Sequence, residues 1–247
     1  MKEIALFGAG LLGKSVINTL LKEGYSIDVF DMSNEKLKGI ESLHTEKLNL
    51  YNFDLGKSSF SDFSIEYTEL KNKKYFGAVN CTYPYVNKEK SDNKFGLSSS
   101  KVFSKSVSAH LSNSYDFMLF SAEVIDIGGS AISFASMYGS TVPDFKVYKG
   151  TDMVTPPDYV ASKAGIIMLN KYFASLFKDK GIRFNTISPG GVFDNQNPIF
   201  VKNYSKKSLH NNMLDSNDIL GCIIFLLSES GKMITGQDII IDGGYTL

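Results

Sequence analysis

Short apolar runs alternate with amphipathic stretches along the whole 247-residue chain. The apolar runs are typical of strands, whereas apolar residues recurring three and four positions apart are typical of helices. We predict strands at residues 2–7, 25–30, 47–53, 76–80, 130–135, 181–187 and 238–241. We predict helices after a glycine-rich turn that follows the first strand and at residues 34–40, 97–124, 158–178 and 215–227. This alternation predicts an α/β fold in one domain over residues 1–247, with a doubly wound parallel sheet between two helical layers.

The composition of the chain argues against several classes of function. The 26 basic and 26 acidic residues cancel, whereas a nucleic-acid-binding surface needs a basic excess. No apolar run approaches the roughly 20 residues of a membrane span, and the stretch Ile219–Leu227 is typical of a buried helix. Because Lys2 already opens the first strand, we expect no signal peptide. The chain is therefore expected to be cytoplasmic, without nucleic-acid or membrane partners.

The cysteines and histidines give no sign of a metal site. Cys81 and Cys222 lie far apart in sequence, and we expect both to be reduced thiols buried as small apolar residues. His44, His110 and His210 are scattered, and neither cysteine has a possible ligand at the spacing of a metal-binding motif. We therefore expect no metal.

Three glycines connect the first strand to the first helix, at positions 8, 10 and 13. Gly8 allows a tight turn, Gly10 lets backbone amides approach a pyrophosphate at the positive end of the helix, and Gly13 lets helix and strand pack closely. Strand, glycine turn and helix in this order form the setting that a dinucleotide-binding fingerprint requires. The sequence therefore predicts a nucleotide site at this turn.

Asp31 ends the second strand, about 20 residues after the glycines, where an acidic side chain usually holds a ribose 2′-hydroxyl. Its charge would repel the 2′-phosphate of NADP, and the nearest cation along the chain is Lys36. We therefore predict NAD rather than NADP. Two alternatives remain open: Asp31 is a turn residue that caps the helix after Ser33, or Asp28, inside the strand, contacts the ribose.

Tyr159 and Lys163 stand four residues apart in a predicted helix, which places them one turn apart on one face. A free tyrosine has a pKa of roughly 10 and is a poor base at neutral pH. A neighbouring ammonium, in a partly dry site with a bound cationic nicotinamide, would lower that pKa toward about 7. We therefore predict that this pair performs proton chemistry beside the nucleotide.

An ordered set of motifs resembles the short-chain dehydrogenase/reductase family over essentially the whole chain. The set comprises the glycine turn at residues 8–13, Asp54, Asn80, Ser136, Tyr159, Lys163, Pro189, Gly190 and the segment Thr235–Gly244. Residues 79–84, 136–139 and 188–196 further resemble members from bacterial gene clusters for surface-glycan or flagellin-modifying sugars. The resemblance implies a Rossmann-type fold and assembly as a homodimer or homotetramer through the helix that carries the tyrosine.

The resemblance also implies a role for individual residues. Ser136 would polarise the substrate carbonyl, Tyr159 would act as acid or base, and Lys163 would lower the pKa of Tyr159 and bind the nicotinamide ribose. The residues implied to hold the cofactor are Gly8, Gly10, Leu12, Gly13, Asp31, Asp54, Leu55, Asn80, Tyr159, Lys163, Pro189, Gly190 and Val192. Among them, Asp54 would lie at the adenine edge and Asn80 near the ribose. The last three would belong to the loop over the nicotinamide.

Several positions depart from the family pattern. The glycine turn is a residue shorter than usual, which would alter the grip on the pyrophosphate. His110 stands where the family has the asparagine of a proton relay, and a pKa of roughly 6.5 would make it a pH-sensitive relay member. The alternative for His110 is a buried structural histidine. Tyr83 and Pro84 replace a small residue, and Asp194 replaces a threonine that often follows Pro189 and Gly190.

Two segments are candidates for substrate recognition. Residues 138–157 are aromatic and polar, which suits a polar, ring-shaped ligand. Residues 193–208 occupy the usual position of a lid. Their amides and the lysines Lys202, Lys206 and Lys207 would read hydroxyls and a phosphate, unless these lysines are only solvated surface.

The sequence thus predicts an NAD-dependent oxidoreductase that interconverts a secondary alcohol and a ketone on a sugar or sugar phosphate for surface-glycan biosynthesis. Ser136, Tyr159 and Lys163 are its predicted catalytic residues, with His110 as a candidate relay. Two alternatives remain: a nucleotide-binding sensor or scaffold with an altered site, and a sugar dehydratase or epimerase that uses NAD transiently.

Overall fold

The strands form a single parallel sheet. The computed structural model describes residues 2–41, 45–55, 70, 72–86 and 97–247. Within them the sheet has the order β3-β2-β1-β4-β5-β6-β7. The strands are Glu3–Phe7 (β1), Ser26–Asp31 (β2), Leu48–Asn52 (β3), Tyr75–Asn80 (β4), Ile125–Phe134 (β5), Arg183–Pro189 (β6) and Asp238–Ile241 (β7). All neighbouring strands are parallel, which confirms the predicted strands and sheet.

The α-helices alternate with these strands. They are Leu11–Lys22 (α1), Asn34–Glu41 (α2), Ser100–Val124 (α3), Pro157–Leu176 (α4), Pro198–Ser205 (α5) and Leu220–Leu227 (α6). Helix α5 lies inside a segment that the sequence predicts only as a lid. Its start is marked by Asn197, whose side chain accepts a hydrogen bond from the Ile199 amide at 2.8 Å, and by a proline at the first helical position.

One strand boundary also differs from the prediction. Strand β5 begins at Ile125 rather than at residue 130, because α3 ends at Val124 and the backbone becomes extended at the next residue. Gly128 and Gly129 interrupt the apolar pattern there, which hides the first half of the strand in the sequence.

Two apolar cores, one on each face of the sheet, show that the sheet is doubly wound. In β1, Ile4 and Leu6 belong to the core shared with α1 and α6, whereas Ala5 and Phe7 belong to the core shared with α3 and α4. This split follows from the alternation of side chains along a strand. The three-layer Rossmann-type architecture is therefore confirmed.

The strand order reverses between β1 and β4, whose carboxyl ends lie side by side. The chain leaves β1 through Gly8, which has a positive φ of 93°. A Cβ on Gly8 would lie 2.7 Å from the Cys81 carbonyl carbon, just beyond β4. Only a glycine permits this backbone contact. In parallel sheets the crevice at such a switch point is where ligands bind.

A smaller aromatic cluster flanks the carboxyl edge of the sheet. Two 3₁₀ turns, Met137–Gly139 and Phe145–Tyr148, pack with α5 against Tyr245. Tyr148 stacks on Phe200 with ring centroids 5.2 Å apart. This cluster builds one wall beside the crevice. No helix among the described residues has the length and apolarity needed to cross a membrane.

Candidate active site

The glycine turn places backbone amides at an open cavity. A Cβ on Gly13 would lie 1.9 Å from the Gly8 carbonyl oxygen, so this position must be glycine for α1 to pack against the turn. Gly10 lines the cavity, and a Cβ on it would meet no atom of the described residues within 4 Å. Helix α1 has no side-chain cap and no acidic residue in its first turn. Its positive end is therefore available to an anion.

Asp31 is bound to the backbone on both sides. One carboxylate oxygen accepts a hydrogen bond from the Ala9 amide at 2.7 Å, and the other accepts one from the Ser33 amide at 2.8 Å. The Lys36 ammonium lies 3.9 Å from the carboxylate. Asp31 thus links the glycine turn to the turn before α2 and lines the same cavity. The capping interpretation and the ribose interpretation are compatible with this geometry.

Asp28 lies outside the cavity. Its carboxylate accepts hydrogen bonds from the Lys73 ammonium and the Tyr75 hydroxyl, both at 2.6 Å, and from the Asn49 amide at 2.9 Å. Burial and this carboxylate raise the pKa of Tyr75 far above its ordinary value. The alternative in which Asp28 contacts the ribose is therefore wrong, since its carboxylate is enclosed by these partners.

The first cavity has a volume of about 360 Å³ and contains several predicted cofactor residues. It is lined by the glycine turn and α1 on one side and by the ends of β2 and β3 on the other. The predicted residues along it are Gly8, Gly10, Leu12, Asp31, Asp54 and Leu55. The cavity also contains Lys36, Asn113 and Asp194.

The second cavity, of about 470 Å³, contains the predicted catalytic residues. Ser136 follows β5, and its hydroxyl accepts a hydrogen bond from the Tyr138 amide at 3.2 Å. Tyr159 lies in the first turn of α4 and Lys163 one turn later, with the ammonium 5.6 Å from the centre of the phenol ring. Ser136, Tyr159 and Lys163 all line the cavity, together with Pro189 and residues 190–192.

Gly139 packs closely against helix α4, and this contact brings Ser136 and Tyr159 together. A Cβ on Gly139 would lie 2.8 Å from the backbone carbonyl carbon of Lys163. The 3₁₀ turn that follows Ser136 therefore rests directly on the backbone of α4, one turn after Tyr159. Sequence reasoning assigned no role to Gly139, although its place after Ser136 was the available signal.

Burial governs the protonation of the pair. Burial raises the pKa of Tyr159 to about 12, and a hydrogen bond with the Ser136 hydroxyl opposes the rise. Burial lowers the pKa of Lys163 to about 8. The predicted lowering of the tyrosine pKa is therefore not found in the chain alone, because burial dominates. The lowering in the presence of a bound cationic nicotinamide stays a prediction.

His110 is buried in α3 and lines neither cavity. Its ring meets Tyr83 edge-on at 5.1 Å between centroids. Burial first and then the Lys163 charge lower the pKa of His110 to about 4, while Asp158 opposes this change. The expected pH sensitivity near 6.5 is therefore wrong, since the imidazole is neutral at neutral pH. Its relay role remains a prediction.

Asn80 and Asn113 meet at a threonine that sequence reasoning missed. The Asn80 side chain accepts hydrogen bonds from the Thr82 amide at 3.0 Å and from the Thr82 hydroxyl at 2.6 Å. The same hydroxyl lies 2.5 Å from the Asn113 side-chain oxygen. Asn80 therefore fixes the loop after β4 and does not line a cavity, whereas Asn113 does. In the sequence, the only indication of Asn113 was that an amide side chain stands one turn after His110.

The two predicted recognition segments contribute apolar more than charged groups. Tyr148 and residues 153–156 line the second cavity from the first segment, and Gln196 and Phe200 line it from the second. None of the three lid lysines lines it, and the Lys207 ammonium is bound to the Asp144 carboxylate at 2.9 Å. The predicted phosphate contact of these lysines is therefore not found, and the surface interpretation fits better. Among the described lining residues, Lys163 alone is charged.

The two cavities adjoin at the loop after β4. Leu12, Cys81, Thr82 and Tyr83 line both of them. Tyr83 is 61% exposed, and its ring centroid lies 6.3 Å from that of Tyr159. A ligand that spans both cavities would therefore bring its one end to the glycine turn and its other end to Tyr159.

The chain is similar in sequence to several known proteins. A family model described as enoyl-(acyl carrier protein) reductase matches residues 12–246. A post-translational flagellin modification protein A of Campylobacter coli is 30% identical over 256 residues, which cover 100% of this chain and 98% of that protein. A 7alpha-hydroxysteroid dehydrogenase of Bacteroides fragilis is 34% identical over 125 residues, which cover 49% of this chain and 44% of that protein.

Solved structures show the same fold. A short chain dehydrogenase from Leptospira borgpetersenii with bound NAD⁺ has a TM-score of 0.81 at 24% identity and covers 100% of this chain and 93% of that one. A 4-hydroxyisoleucine dehydrogenase in complex with NADH has a TM-score of 0.79 at 24% identity and covers 100% and 99% of the two chains.

Proposed function

Because the chain belongs to the short-chain dehydrogenase/reductase family, we propose that it interconverts a secondary alcohol and a ketone with NAD(H) as cofactor. One observation carries the proposal. Ser136, Tyr159 and Lys163 line a cavity that adjoins the cavity of the glycine turn. This arrangement places a hydroxyl donor, an acid/base and an ammonium where a dinucleotide lying across the switch point would end.

The described residues fit a dinucleotide. The side of Gly10 that faces the cavity is open, and the uncapped start of α1 offers backbone amides to a pyrophosphate. Asp31 and Asp54 line the first cavity and would contact the adenosine half, and Pro189 and Val192 line the second and would contact the nicotinamide half. When bound, NAD supplies the hydride-transfer chemistry, and the protein supplies position and charge.

The protein's own residues handle the proton and the carbonyl oxygen. In ketone reduction, the Ser136 hydroxyl polarises the carbonyl, and the Tyr159 phenol gives its proton to the forming alkoxide. Alcohol oxidation uses the same groups in reverse. The Lys163 ammonium is fixed by donating a hydrogen bond to the Phe134 carbonyl at 3.1 Å. From there it favours the phenolate form of Tyr159 once the pocket is filled.

Asp31 supports NAD over NADP. Its carboxylate lines the cavity near Met32 and Lys36, and it would repel a 2′-phosphate. Two structures of similar fold hold NAD⁺ and NADH. Lys36 lies close enough to Asp31 to offset part of this charge. The preference for NAD over NADP is therefore partial, and its size is measured by comparing the affinities for the two cofactors directly.

The substrate that fits best is a neutral ring, preferably a sugar whose reacting part carries no phosphate. The flagellin modification relative supports a carbohydrate. The cavity wall offers the flat surfaces of Tyr148 and Phe200 and the methionines Met153 and Met213, which suit the apolar face of a ring. We further propose a cytoplasmic homodimer or homotetramer. The exposed side chains Met168 and Tyr172 on α4 support assembly through that helix.

The decisive experiment measures binding and turnover together. The purified protein is titrated with NADH and NADPH, and then assayed at about 340 nm with matched neutral and phosphorylated sugars. We expect NADH to bind more tightly and a neutral sugar to be oxidised with NAD⁺. Tyr159→Phe should lower kcat at least about 100-fold, in line with the loss of a general acid/base, while NADH still binds. Cofactor binding without turnover of any alcohol would favour the sensor, and elimination or inversion without net reduction of NAD⁺ would favour a dehydratase or epimerase.

A further inference from the structure

Asp194 occupies an unusual place for a carboxylate. It lies between β6 and α5, in a turn held by two hydrogen bonds of Gln196. The side-chain oxygen of Gln196 accepts from the Asp194 amide at 2.8 Å, and its side-chain nitrogen donates to the Val192 carbonyl at 2.8 Å. Asn195 adopts a left-handed backbone with a φ of 55°. These constraints fix the direction of the turn, so the position of Asp194 is built into the loop.

The Asp194 side chain shares a cavity with the positive end of α1. Asp194, Gly8, Gly10 and Leu11 all line the first cavity. The start of α1 has no capping side chain and no acidic residue in its first turn. The exposed Asp194 carboxylate has no hydrogen-bond or ion-pair partner among the residues that the structure describes. It is therefore an unpaired carboxylate in the cavity that the uncapped start of α1 also lines.

The charge of this cavity is unfavourable for a second anion. Its described lining has three carboxylates, those of Asp31, Asp54 and Asp194, against the single ammonium of Lys36. Asp31 is already bound to two backbone amides, and Lys36 lies 3.9 Å from it. A pyrophosphate adds two negative charges at the helix end. Of the three aspartates, Asp194 is the one that comes from the predicted lid segment.

We propose that Asp194 limits the affinity for the dinucleotide by opposing the pyrophosphate at the start of α1, and thereby speeds cofactor release. This inference rests on the proposed function. The carboxylate and the pyrophosphate would be two anions in one cavity. A bound dinucleotide would therefore bring a like charge toward Asp194, and the repulsion would weaken binding. In many enzymes product release or lid opening, rather than chemistry, limits turnover, so a faster exchange of cofactor is the expected benefit.

This role differs from that of Asp31 in a measurable way. Asp31 would act on the 2′-phosphate, which only NADP carries, whereas Asp194 would act on the pyrophosphate, which both cofactors carry. Neutralising Asp194 should therefore tighten NADH and NADPH by similar factors and leave the ratio of the two affinities almost unchanged.

The test compares Asp194→Asn with Asp152→Asn, an exposed carboxylate that lines neither cavity. NADH and NADPH dissociation constants are measured by fluorescence, and the NADH dissociation rate by stopped flow. For Asp194→Asn we expect Kd values about three- to tenfold lower than in the wild type, mostly through a slower dissociation rate. Asp152→Asn should match the wild type. Raising the ionic strength should shrink the difference, because the charges are exposed.

Each outcome separates the two proposals. If the wild type binds neither dinucleotide, the proposed function fails. If the wild type binds NADH and Asp194→Asn binds it equally or more weakly, the proposed function stands and the role of Asp194 is overturned. Asp194→Thr serves as a second neutral variant, and thermal unfolding of both variants confirms that they fold. A gain confined to NADPH would also contradict the proposal, since it would place Asp194 at the ribose.

Discussion

Burial is the main influence on the protonation state of single residues in the site. Lys163 is 4% exposed and His110 is 4% exposed, and in both cases loss of water disfavours the cationic form. Burial acts on Tyr159 as well, where it favours the neutral phenol. The free chain therefore holds a neutral tyrosine and a neutral histidine at neutral pH. We expect a bound cationic nicotinamide to shift this distribution toward the phenolate.

Replacing Lys163 by methionine should stabilise the fold and impair the enzyme. The pKa of this lysine falls from 10.5 to about 8 on folding. Between about pH 8 and pH 10.5, the unfolded state binds a proton at this amine that the folded state does not bind. The free energy of unfolding therefore decreases as the pH falls from about 10.5 to about 8. Lys163→Met should raise the unfolding free energy at pH 7 by roughly 2 kcal/mol, after the lost hydrogen bond to Phe134 is counted.

Thermal unfolding of Lys163→Met and the wild type at pH 7 and near pH 10 measures this effect. The advantage of the variant should shrink toward pH 10, while kcat stays low at both values. An advantage that grows with pH would show that the sign is wrong.

His110 should not impose a pH step near 6.5 on the reaction rate. Its pKa lies near 4, so the imidazole stays neutral from about pH 6 to 8. His110→Asn keeps one donor and one acceptor, and we expect kcat within about threefold of the wild type. A pH–rate profile of alcohol oxidation is the measurement. An inflection near pH 6.5 that disappears in the variant would contradict this prediction.

Among the elements, the β1–α1 junction couples folding to ligand binding. Gly13 is constrained by the Gly8 carbonyl, whereas no atom of the described residues would meet a Cβ on Gly10. The first glycine is thus required by packing within the chain. For Gly10 we expect the requirement to come from a ligand that approaches its backbone.

Alanine at these two positions should give opposite phenotypes. Gly13→Ala places a Cβ 1.9 Å from the Gly8 oxygen and should destabilise the fold by more than about 3 kcal/mol. Gly10→Ala should leave stability within about 1 kcal/mol of the wild type and raise the NADH Kd at least about tenfold, since the methyl group occupies the side of the approaching pyrophosphate. Denaturant unfolding and NADH titration of both variants provide the readouts. Tight NADH binding by Gly10→Ala would exclude the turn as the pyrophosphate site.

At the scale of the whole molecule, the two cavities together form the crevice at the carboxyl ends of the strands. One dinucleotide across both cavities would contact residues of β1, β2, β5 and β6, residues just after β3 and β4, and the start of α4. Binding should therefore stabilise the entire sheet. At a concentration of 100 times its Kd, NADH should add about 2.7 kcal/mol to the unfolding free energy. For a chain of this size, that corresponds to a rise in Tm of roughly 5–10 °C.

A thermal-unfolding series with NADH, NADPH and adenosine alone tests this expectation. NADH should give the largest shift and adenosine a small one. Equal shifts for NADH and adenosine would mean that the second cavity takes no part in cofactor binding.

The sequence by itself determined the parallel sheet, the alternation of strands and helices, and the candidates Ser136, Tyr159 and Lys163. It could do so because the period of apolar residues and the spacing of a motif are local properties of the chain. It missed helix α5, since Asn197 and Pro198 mark a helix start inside a polar segment. It also missed Gly139, because its constraint is a contact with another element.

Only the tertiary structure decided which groups share a cavity and what charge they carry there. Folding buried His110 and removed its expected pH sensitivity, bound Lys207 to Asp144, enclosed Asp28 and brought Asp194 to the cavity that the start of α1 also lines. Each of these outcomes depends on desolvation or on a partner distant along the chain. Neither quantity is contained in local sequence, because both arise when separate elements meet.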